Sequence, residues 1–299
     1  MEPMELRVLR YFLLAAREEN ITRAAELLHV TQPTLSRQLM QLEQELGTKL
    51  FHRGQHSITL TDDGMLLKRR AQELVDLADK TEREFVKSMS ALTGELSIGS
   101  GETLSMHTLS QWIASFRAEY PMVQYDIFSA TADEIKDRLE KGILDMGLLV
   151  EPVDITKYEF IRMPKKERWG ILVSKSSPLA LNDHIGPSDL AHTPLLIAKR
   201  NMVREGLRGW FGNSFDSLEI AGTYNLLYNA AVLAEHGVGA MLCMEHDRSY
   251  ENLRFIPLFP VLETGAVLVW KKNQTCSAAA SHFFAHVQKC SKRMDGDKI

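Results

Sequence analysis

Apolar residues recur at helical spacing through two short, adjacent segments near the amino end of the chain. Ala24, Ala25 and Leu28 mark the first, residues 29–31 interrupt the pattern, and Leu35, Leu39, Leu42 and Leu46 resume it on a second stripe. The layout predicts two short crossing helices, the first bracing the second, as in a helix-turn-helix. Thr31 suits an N-cap, and Pro33 falls in the first turn, where a missing N–H costs nothing. At about 100° per residue the four leucines share one narrow sector facing inward. The opposite sector holds Pro33, Arg37, Met40, Gln41 and Gln44, flanked by Thr34 and Gln38. Residues 50–61, LFHRGQHSITLT, then predict a short hairpin, with Ile58 and Leu60 inward and Gly54 in the turn.

From Asp62 to Leu92 there is no proline, and Gly64 near the start is the sole glycine. Leu67, Ala71, Leu74, Ala78, Thr81, Phe85, Ser88 and Leu92 alternate at four and three residues, a heptad seam. A helix of about thirty residues spans on the order of 45 Å. It either lies along its own domain or pairs with a second copy, and the spacing favours pairing. After Thr93 and Gly94 the pattern changes to strands alternating with helices. GELSIGS, VQYDIFS, ILDMGLLV, WGILVS, PLLIA, LEIAG, VGAMLC and GAVLVWKK are the expected strands. Helices are expected over Leu109–Glu119, ADEIKDRLEKG, SDLAH, VREGLRGWFG, NLLYNAAVLAEHG and SAAASHFFAHVQKC. Two α/β halves with parallel sheets, enclosing a cleft, are the expected result. The domain plan is therefore 1–61 for the helix-turn-helix and hairpin, 62–92 for the linker helix and 93–299 for an α/β domain. Within it, one lobe takes about 93–162 plus 267–299 and the other about 163–266.

Composition modifies this picture only in part. An apolar fraction of 44% with 25% charged residues is that of a folded globular chain rather than a disordered one. The net charge is −4, and residues 1–61 carry seven basic and seven acidic side chains. Bulk charge thus does not advertise nucleic acid, and a single copy would bind it weakly. Linked copies would compensate through avidity. The outward sector of the second helix nevertheless has the right chemistry. Arg grips guanine bidentately, Gln does the same to adenine, and a Thr methyl packs on thymine. Gln32 adds an amide at the amino end.

Candidate ligand groups follow from the rule that α/β sheets bind beyond the carboxyl ends of their strands. Ser100, Gly101, Glu102 and Thr103 follow the first strand and open a helix, where free N–H groups favour an anion. Thr131 follows the second strand; Lys199, Arg200 and Asn201 follow PLLIA; Thr223, Tyr224 and Asn225 follow LEIAG. Glu102 would repel an anion unless Lys199 or Arg200 neutralises it, which makes a zwitterionic or basic ligand worth testing. No catalytic G-x-S-x-G, P-loop, H-E-x-x-H or paired-cysteine pattern occurs, so an enzyme is not expected. His282 and His286 are four apart on one helix, a spacing that a packed or solvated helix face explains better than a metal. Cys243 sits in the apolar run AMLCM and reads as core; Cys276 and Cys290 lack close metal-ligand spacing. No apolar run approaches membrane-spanning length, and the cytoplasm is the expected compartment.

Residues 4–64 closely resemble the winged DNA-binding domain of LysR-type transcriptional regulators. The matching stretches are MELRVLRYFLLAARE, ITRAAELLHVTQPTLSRQLMQLEQELGTKLFHR and LTDDG. The resemblance implies that Gln32, Pro33, Ser36 and Arg37 approach bases, with Thr31, Thr34, Gln38 and Arg53 on phosphates or the groove edge. Gln41 joins them from the outward sector. His56 stands where many members carry a wing arginine. The family further implies linker helices that pair two winged domains and a two-lobed regulatory domain built like solute-binding proteins. It also implies a homodimer assembling to a homotetramer, promoter DNA and RNA polymerase as partners, and a small-molecule effector with no other cofactor. In that family Ser or Thr after the first strand holds an effector's carboxylate, the position of Thr103, while Gly101 stands where serine is frequent.

Overall fold

The computed structural model describes residues 4–54, 57–85, 92–247, 250–272 and 276–296. It falls into two compact units, Met1–Val86 and Lys87–Ile299.

The first unit contains α1 (Leu6–Glu18), α2 (Ile21–Leu27), α3 (Gln32–Leu46), β1 (Phe51–Arg53), β2 (Ile58–Leu60) and α4 (Asp62–Phe85). Asn20 caps α2 by accepting from the Arg23 amide at 3.0 Å, and Thr31 caps α3 from the Thr34 amide at 3.4 Å. The turn between them depends on His29, which takes the left-handed conformation at φ 54°, one usually left to glycine. Leu35, Leu39 and Leu42 are buried with Leu9, Phe12, Leu50, Phe51 and Ile58, and Phe12 meets Phe51 at 5.3 Å between ring centres. Leu46, expected to face inward, is exposed. Its angle matches the other leucines, but it lies in the last turn beside the Gly47 C-cap, beyond the end of the core.

α4 divides its apolar surface between two neighbouring sectors. Leu67, Ala71 and Val75 pack into the core of the first unit, and Asp79 receives the Arg10 guanidinium of α1. Leu66, Leu74 and Leu77 are exposed within a sector of about 80°. The single heptad seam expected from spacing is therefore corrected. Its first two members, Leu67 and Ala71, serve the helix's own domain, and Leu66 and Leu77 lie beside Leu74 on the open face. Leu92 lies outside the helix and packs into the core of the second unit. The side chain of Phe85 and residue Ser88 fall outside the described residues.

The second unit begins with β3 (Gly94–Ser100), α5 (Ser105–Glu119), β4 (Val123–Ser129), α6 (Ala132–Glu140), β5 (Met146–Val150) and β6 (Tyr158–Arg162). The chain then enters another sheet with β7 (Glu167–Ser174), β8 (Leu195–Ala198), α7 (Asn201–Phe211), β9 (Ile220–Tyr224), α8 (Leu227–Glu235), β10 (Ala240–Met244), β11 (Leu253–Pro257) and β12 (Glu263–Thr264). It returns through β13 (Ala266–Lys271) and ends on α9 (Ala278–Gly296). The first lobe's sheet runs β4-β3-β5-β13-β6, and the second's runs β11-β7-β10-β8-β9 with β12 on β7. Each sheet is covered on both faces by separate apolar clusters. The chain crosses between lobes twice, and the crossings are tied together: Trp169 donates to the Thr264 hydroxyl at 2.6 Å and its amide donates to the Leu262 carbonyl at 2.9 Å.

The sheets are mixed rather than parallel. β13 runs antiparallel to both β5 and β6, and β7 antiparallel to β10 and β11. The sequence reading also passed over β6 and β11. Both are edge strands with partly exposed faces, so neither offers the unbroken apolar run that marks a buried strand. SDLAH forms only a 3-10 turn over Pro187–Leu190.

Gly64 sets the close approach of α4 to the hairpin, since a Cβ there would lie 2.1 Å from the Leu50 carbonyl oxygen. Gly64→Ala should therefore destabilise the first unit by on the order of 1–3 kcal/mol. Hydrogen exchange at the amides of residues 50–61 measures this, and unchanged protection would show that α4 shifts aside freely.

Candidate DNA-binding surface and ligand cleft

With Leu35 and Leu39 buried, α3 turns Gln32, Pro33, Thr34 and Arg37 to the outside, all exposed, with Ser36 and Gln38 half-buried. Thr31 and Thr34 share a hydroxyl–hydroxyl hydrogen bond of 2.8 Å, which fixes the first turn. Gln41 is half-buried and donates to Glu45 at 2.9 Å, on the side of α3 that faces the start of α1. It lies one turn beyond Arg37 on the same outward sector of α3. His56 lies outside the described residues.

Charge in this unit is largely cancelled locally. Arg7 pairs with Glu5, Arg10 with Asp79, Arg17 and Arg23 with Glu18, and Lys49 and Arg53 with Glu43. Of the seven basic residues in 1–61, Arg37 is the one outside these pairs among the described residues, and it stands exposed on the outer face of α3.

The sequence reading missed Glu43. Its carboxylate is 2% exposed and accepts from the amides of Leu50 and Phe51 at 2.9 and 3.3 Å and from Lys49 Nζ at 3.2 Å. Arg53 reaches it at 3.6 Å. The end of α3 and the start of β1 thus hang on one carboxylate. Burial works to raise its pKa, but the hydrogen bonds from Leu50, Lys49 and Phe51 outweigh it, and the group sits below the ordinary carboxylate value.

The second unit opens a cavity of about 110 Å³ between its sheets, lined by Gly101, Glu102, Thr131, Leu148, Trp169, Lys199, Arg200, Val203, Tyr224, Asn225, Leu227 and Met244, among others. Of the strand-end residues singled out from sequence, Gly101, Glu102, Thr131, Lys199, Arg200, Tyr224 and Asn225 meet here and Thr223 lines the mouth, whereas Ser100, Thr103 and Asn201 line neither, and most of the set is already engaged. Ser100 is buried and donates to the Gly101 carbonyl at 2.7 Å. Thr131 forms a capping box with Glu134 at the start of α6, which holds the Glu134 carboxyl below its usual value. Tyr224 donates to the Leu242 carbonyl at 2.7 Å, and burial pushes its phenol well above the ordinary value. Asn225 accepts from the Leu226 amide at 3.0 Å. Thr223 and Lys199 are exposed at the mouth. Asn201 opens α7, and its side chain is outside the described set.

Two expectations are corrected. Lys199 and Arg200 do not neutralise Glu102. Its carboxylate instead accepts from the Leu227 amide at the amino end of α8, across the cleft. Arg200, with its side chain 9% exposed, reaches the other way, donating to Asp133 at 3.2 and 3.3 Å and to the Val150 carbonyl at 3.4 Å. Thr103 does not wait for a ligand either. Its hydroxyl donates to Glu167, a fully buried carboxylate from the first residue of β7. Glu167 also accepts from the amides of Leu104 and Ser105 at 3.1 and 3.0 Å and from the Ser105 hydroxyl at 2.6 Å. Neither α5 nor α8 carries its own N-cap side chain, and a distant carboxylate supplies each cap.

The remaining candidates are structural. His286 bonds with Ser115 at 2.8 Å and packs on Phe116 and Phe283, while His282 bonds with the Ala278 carbonyl. No group of three or more potential metal ligands occurs among the described residues. Burial pushes the Cys243 thiol up to about 12, which leaves it protonated and unreactive. No helix of the described residues is long and apolar enough to cross a membrane.

Two family models match the chain. The bacterial regulatory helix-turn-helix protein model of the lysR family matches residues 6–65, and the LysR substrate binding domain model matches residues 90–291. The chain belongs to the LysR family. It is accordingly a DNA-binding transcriptional regulator and not an enzyme. Among LysR relatives, it is 26% identical to the probable RuBisCO transcriptional regulator of Phaeodactylum tricornutum over 97% of each chain. It is 31% identical to the uncharacterized HTH-type transcriptional regulator YcgK of Bacillus subtilis, over 56% of this chain and about half (54%) of that one. The fold matches the crystal structure of CbnR, a LysR family transcriptional regulator, at a TM-score of 0.78 with 21% identity, over 96% of this chain and 99% of that one.

Glu43 gives the regulator a specific acid sensitivity. A carboxyl depressed by folding contributes stability that is present above its unfolded pKa of about 4.3 and is lost as pH falls through its lower folded value. Glu43→Gln should cost on the order of 1–3 kcal/mol at neutral pH and flatten the acid limb of the first unit's stability curve. Urea titrations between pH 3 and 7, as a window chosen around the ordinary carboxylate range, would show an unchanged acid limb if Glu43 were not responsible.

Proposed function

We propose that this LysR-family chain binds an interrupted inverted repeat at its promoters and responds to a small molecule held between the lobes of its second unit. The observation that carries the DNA reading is the position of Arg37. It projects from a helix whose opposite face is locked by Leu35, Leu39 and Leu42, and every other basic residue of residues 1–61 is engaged by a carboxylate. An arginine on the exposed face of a braced helix suits bidentate contact with guanine. Gln32 and Thr34 flank it near the amino end.

Two copies are required for useful affinity, because the unit has no excess of positive charge. Leu66, Leu74 and Leu77 on the open side of α4 supply the pairing surface. At 24 residues α4 runs about 36 Å, comparable to one turn of duplex between successive major grooves. Association of such dimers into a tetramer, contact with RNA polymerase and residence in the cytoplasm complete the reading. The effector is the sole small molecule it calls for. Effector binding would act by favouring one of two quaternary states.

A gel shift against the DNA upstream of the chain's own coding region tests the proposal directly. Arg37→Ala should weaken operator binding by about 1–3 kcal/mol and relax preference at one base pair. An equal loss on all sequences would make Arg37 a phosphate contact instead. Leu74→Asp combined with Leu77→Asp should yield a monomer by analytical ultracentrifugation, with operator binding abolished. Full affinity in such a monomer would overturn the pairing surface.

A further inference from the structure

The cleft's electrostatics restrict what it can hold. Besides Lys199, which is exposed at the mouth, and the amino end of α7, three places in or beside it would ordinarily attract an anion: the amino ends of α5 and α8, and the buried guanidinium of Arg200. Each is already matched by a carboxylate of the chain. Glu167 seats on the amides of Leu104 and Ser105, Glu102 on that of Leu227, and Asp133 on Arg200. A cation fares no better: of the three acidic groups at the cavity and its mouth, Glu102 and Asp133 are those same partners and Glu134 is held in the Thr131 capping box, while Lys199 and Arg200 flank the entrance. Between these pairs lies an inner space of about 110 Å³ walled by Leu148, Trp169, Val203, Leu227 and Met244, which opens into a polar outer mouth of about 650 Å³ at Thr131, Glu134, Lys199 and Thr223.

We infer that the effector is a small, uncharged and largely apolar molecule, held among Leu148, Trp169, Val203 and Met244 and not by a charged headgroup. The inference rests on the effector reading above and narrows it to a ligand class. The inner space taken alone is small beside ligand cavities of roughly 300–1,000 Å³, and it is the part of the cleft that is walled by apolar side chains. A dry cavity of about 150 Å³ accepts benzene, so a ligand of about six to eight non-hydrogen atoms is the right scale. Glu102 is the group that sets the specificity. Exposed at the mouth, with its carboxylate on the α8 amide, it occupies the seat an anionic ligand would need.

Calorimetric titration of the full chain with phenol, benzoate and benzylamine separates the classes. Phenol should bind saturably at one site per chain, with benzoate and benzylamine weaker by at least roughly tenfold, since each brings a charge against the apolar wall of Leu148, Trp169, Val203 and Met244. Glu102→Ala removes the seated carboxylate and should raise benzoate affinity by at least about tenfold, the α8 amides now being open. Ala198→Leu, which extends a side chain into the cavity, should remove phenol binding. Tighter or equal binding of either ion to the unaltered chain overturns the inference, as does the absence of saturable phenol binding. A Glu102→Ala chain no better for benzoate overturns the role of Glu102. Operator binding by the unaltered chain, measured beside these titrations, distinguishes a wrong ligand class from a wrong regulator reading: it persists in the first case and is absent in the second.

Discussion

A carboxylate seated on backbone amides of another element holds this molecule together at its critical junctions. Glu167 does so where the chain passes from one lobe to the other, bonding two amides and two hydroxyls at the start of α5. A fully buried charge is costly unless its hydrogen bonds are complete. Here the partners are the unsatisfied N–H groups of a helix terminus and the positive end of its dipole, so two liabilities remove each other. Because the carboxylate starts β7 and the amides start α5, the joint also fixes the register at which the second lobe leaves the first. Glu102 repeats the device across the cleft at α8, and Glu43 uses it to bind the hairpin to α3 in the first unit. Each joins an acidic side chain to amides that lack a local cap or lie at the start of a strand.

That device explains why the cleft differs from what its residue types suggest. A threonine and a serine at the start of a helix look like an open anion site, and the resemblance to the LysR family strengthens that expectation. The chain fills the site itself. Most of the polar groups around the cavity are then structural, Lys199 and Thr223 at the mouth excepted, and on the inference above the discriminating surface would be the apolar wall between them. Tyr224 follows the same logic, since its hydroxyl is committed to the Leu242 carbonyl and faces burial rather than a ligand.

Much of the architecture was legible because buried strands are continuous apolar runs and buried helix faces repeat at 3.6 residues. GELSIGS, ILDMGLLV and VGAMLC announced the centres of the two sheets, and Leu35, Leu39 and Leu42 announced the inner face of α3. Two of the four edges, β6 and β11, were not legible. YEFIR and LRFIP present mixed faces, and the antiparallel direction of β13, itself read as a strand, leaves no mark in local pattern. Leu46 shows the limit of angle as a guide, since position along the axis also decides burial. The heptad reading of α4 failed for a related reason. Spacing cannot say whether a stripe faces a neighbour or the chain's own domain, and α4 does both on adjacent sectors. In the ligand cleft, strand-end residues gathered Glu102, Lys199, Arg200 and Tyr224 into one place, but nothing local links Glu167 to Ser105, or Glu102 to Leu227. Distant caps are tertiary facts.

The same local cancellation of charge shapes how the first unit can meet DNA. Exposed ion pairs such as Arg17–Glu18 and Arg23–Glu18 are individually weak. A phosphate can capture their arginines, but each capture leaves a carboxylate beside the duplex, so the net gain is smaller than for a free cation. Lys49 and Arg53 are restrained further, because Glu43 is also holding the hairpin amides and cannot move away. On the proposed reading, non-specific attraction would be reduced more than base recognition by Arg37, Gln32 and Thr34. The ratio of specific to non-specific binding would improve while the absolute affinity of one copy fell, and pairing through the exposed face of α4 would be where that affinity is recovered. Weak charge and an open leucine face would in this sense be two parts of one arrangement, in which a single copy binds weakly and a pair does not.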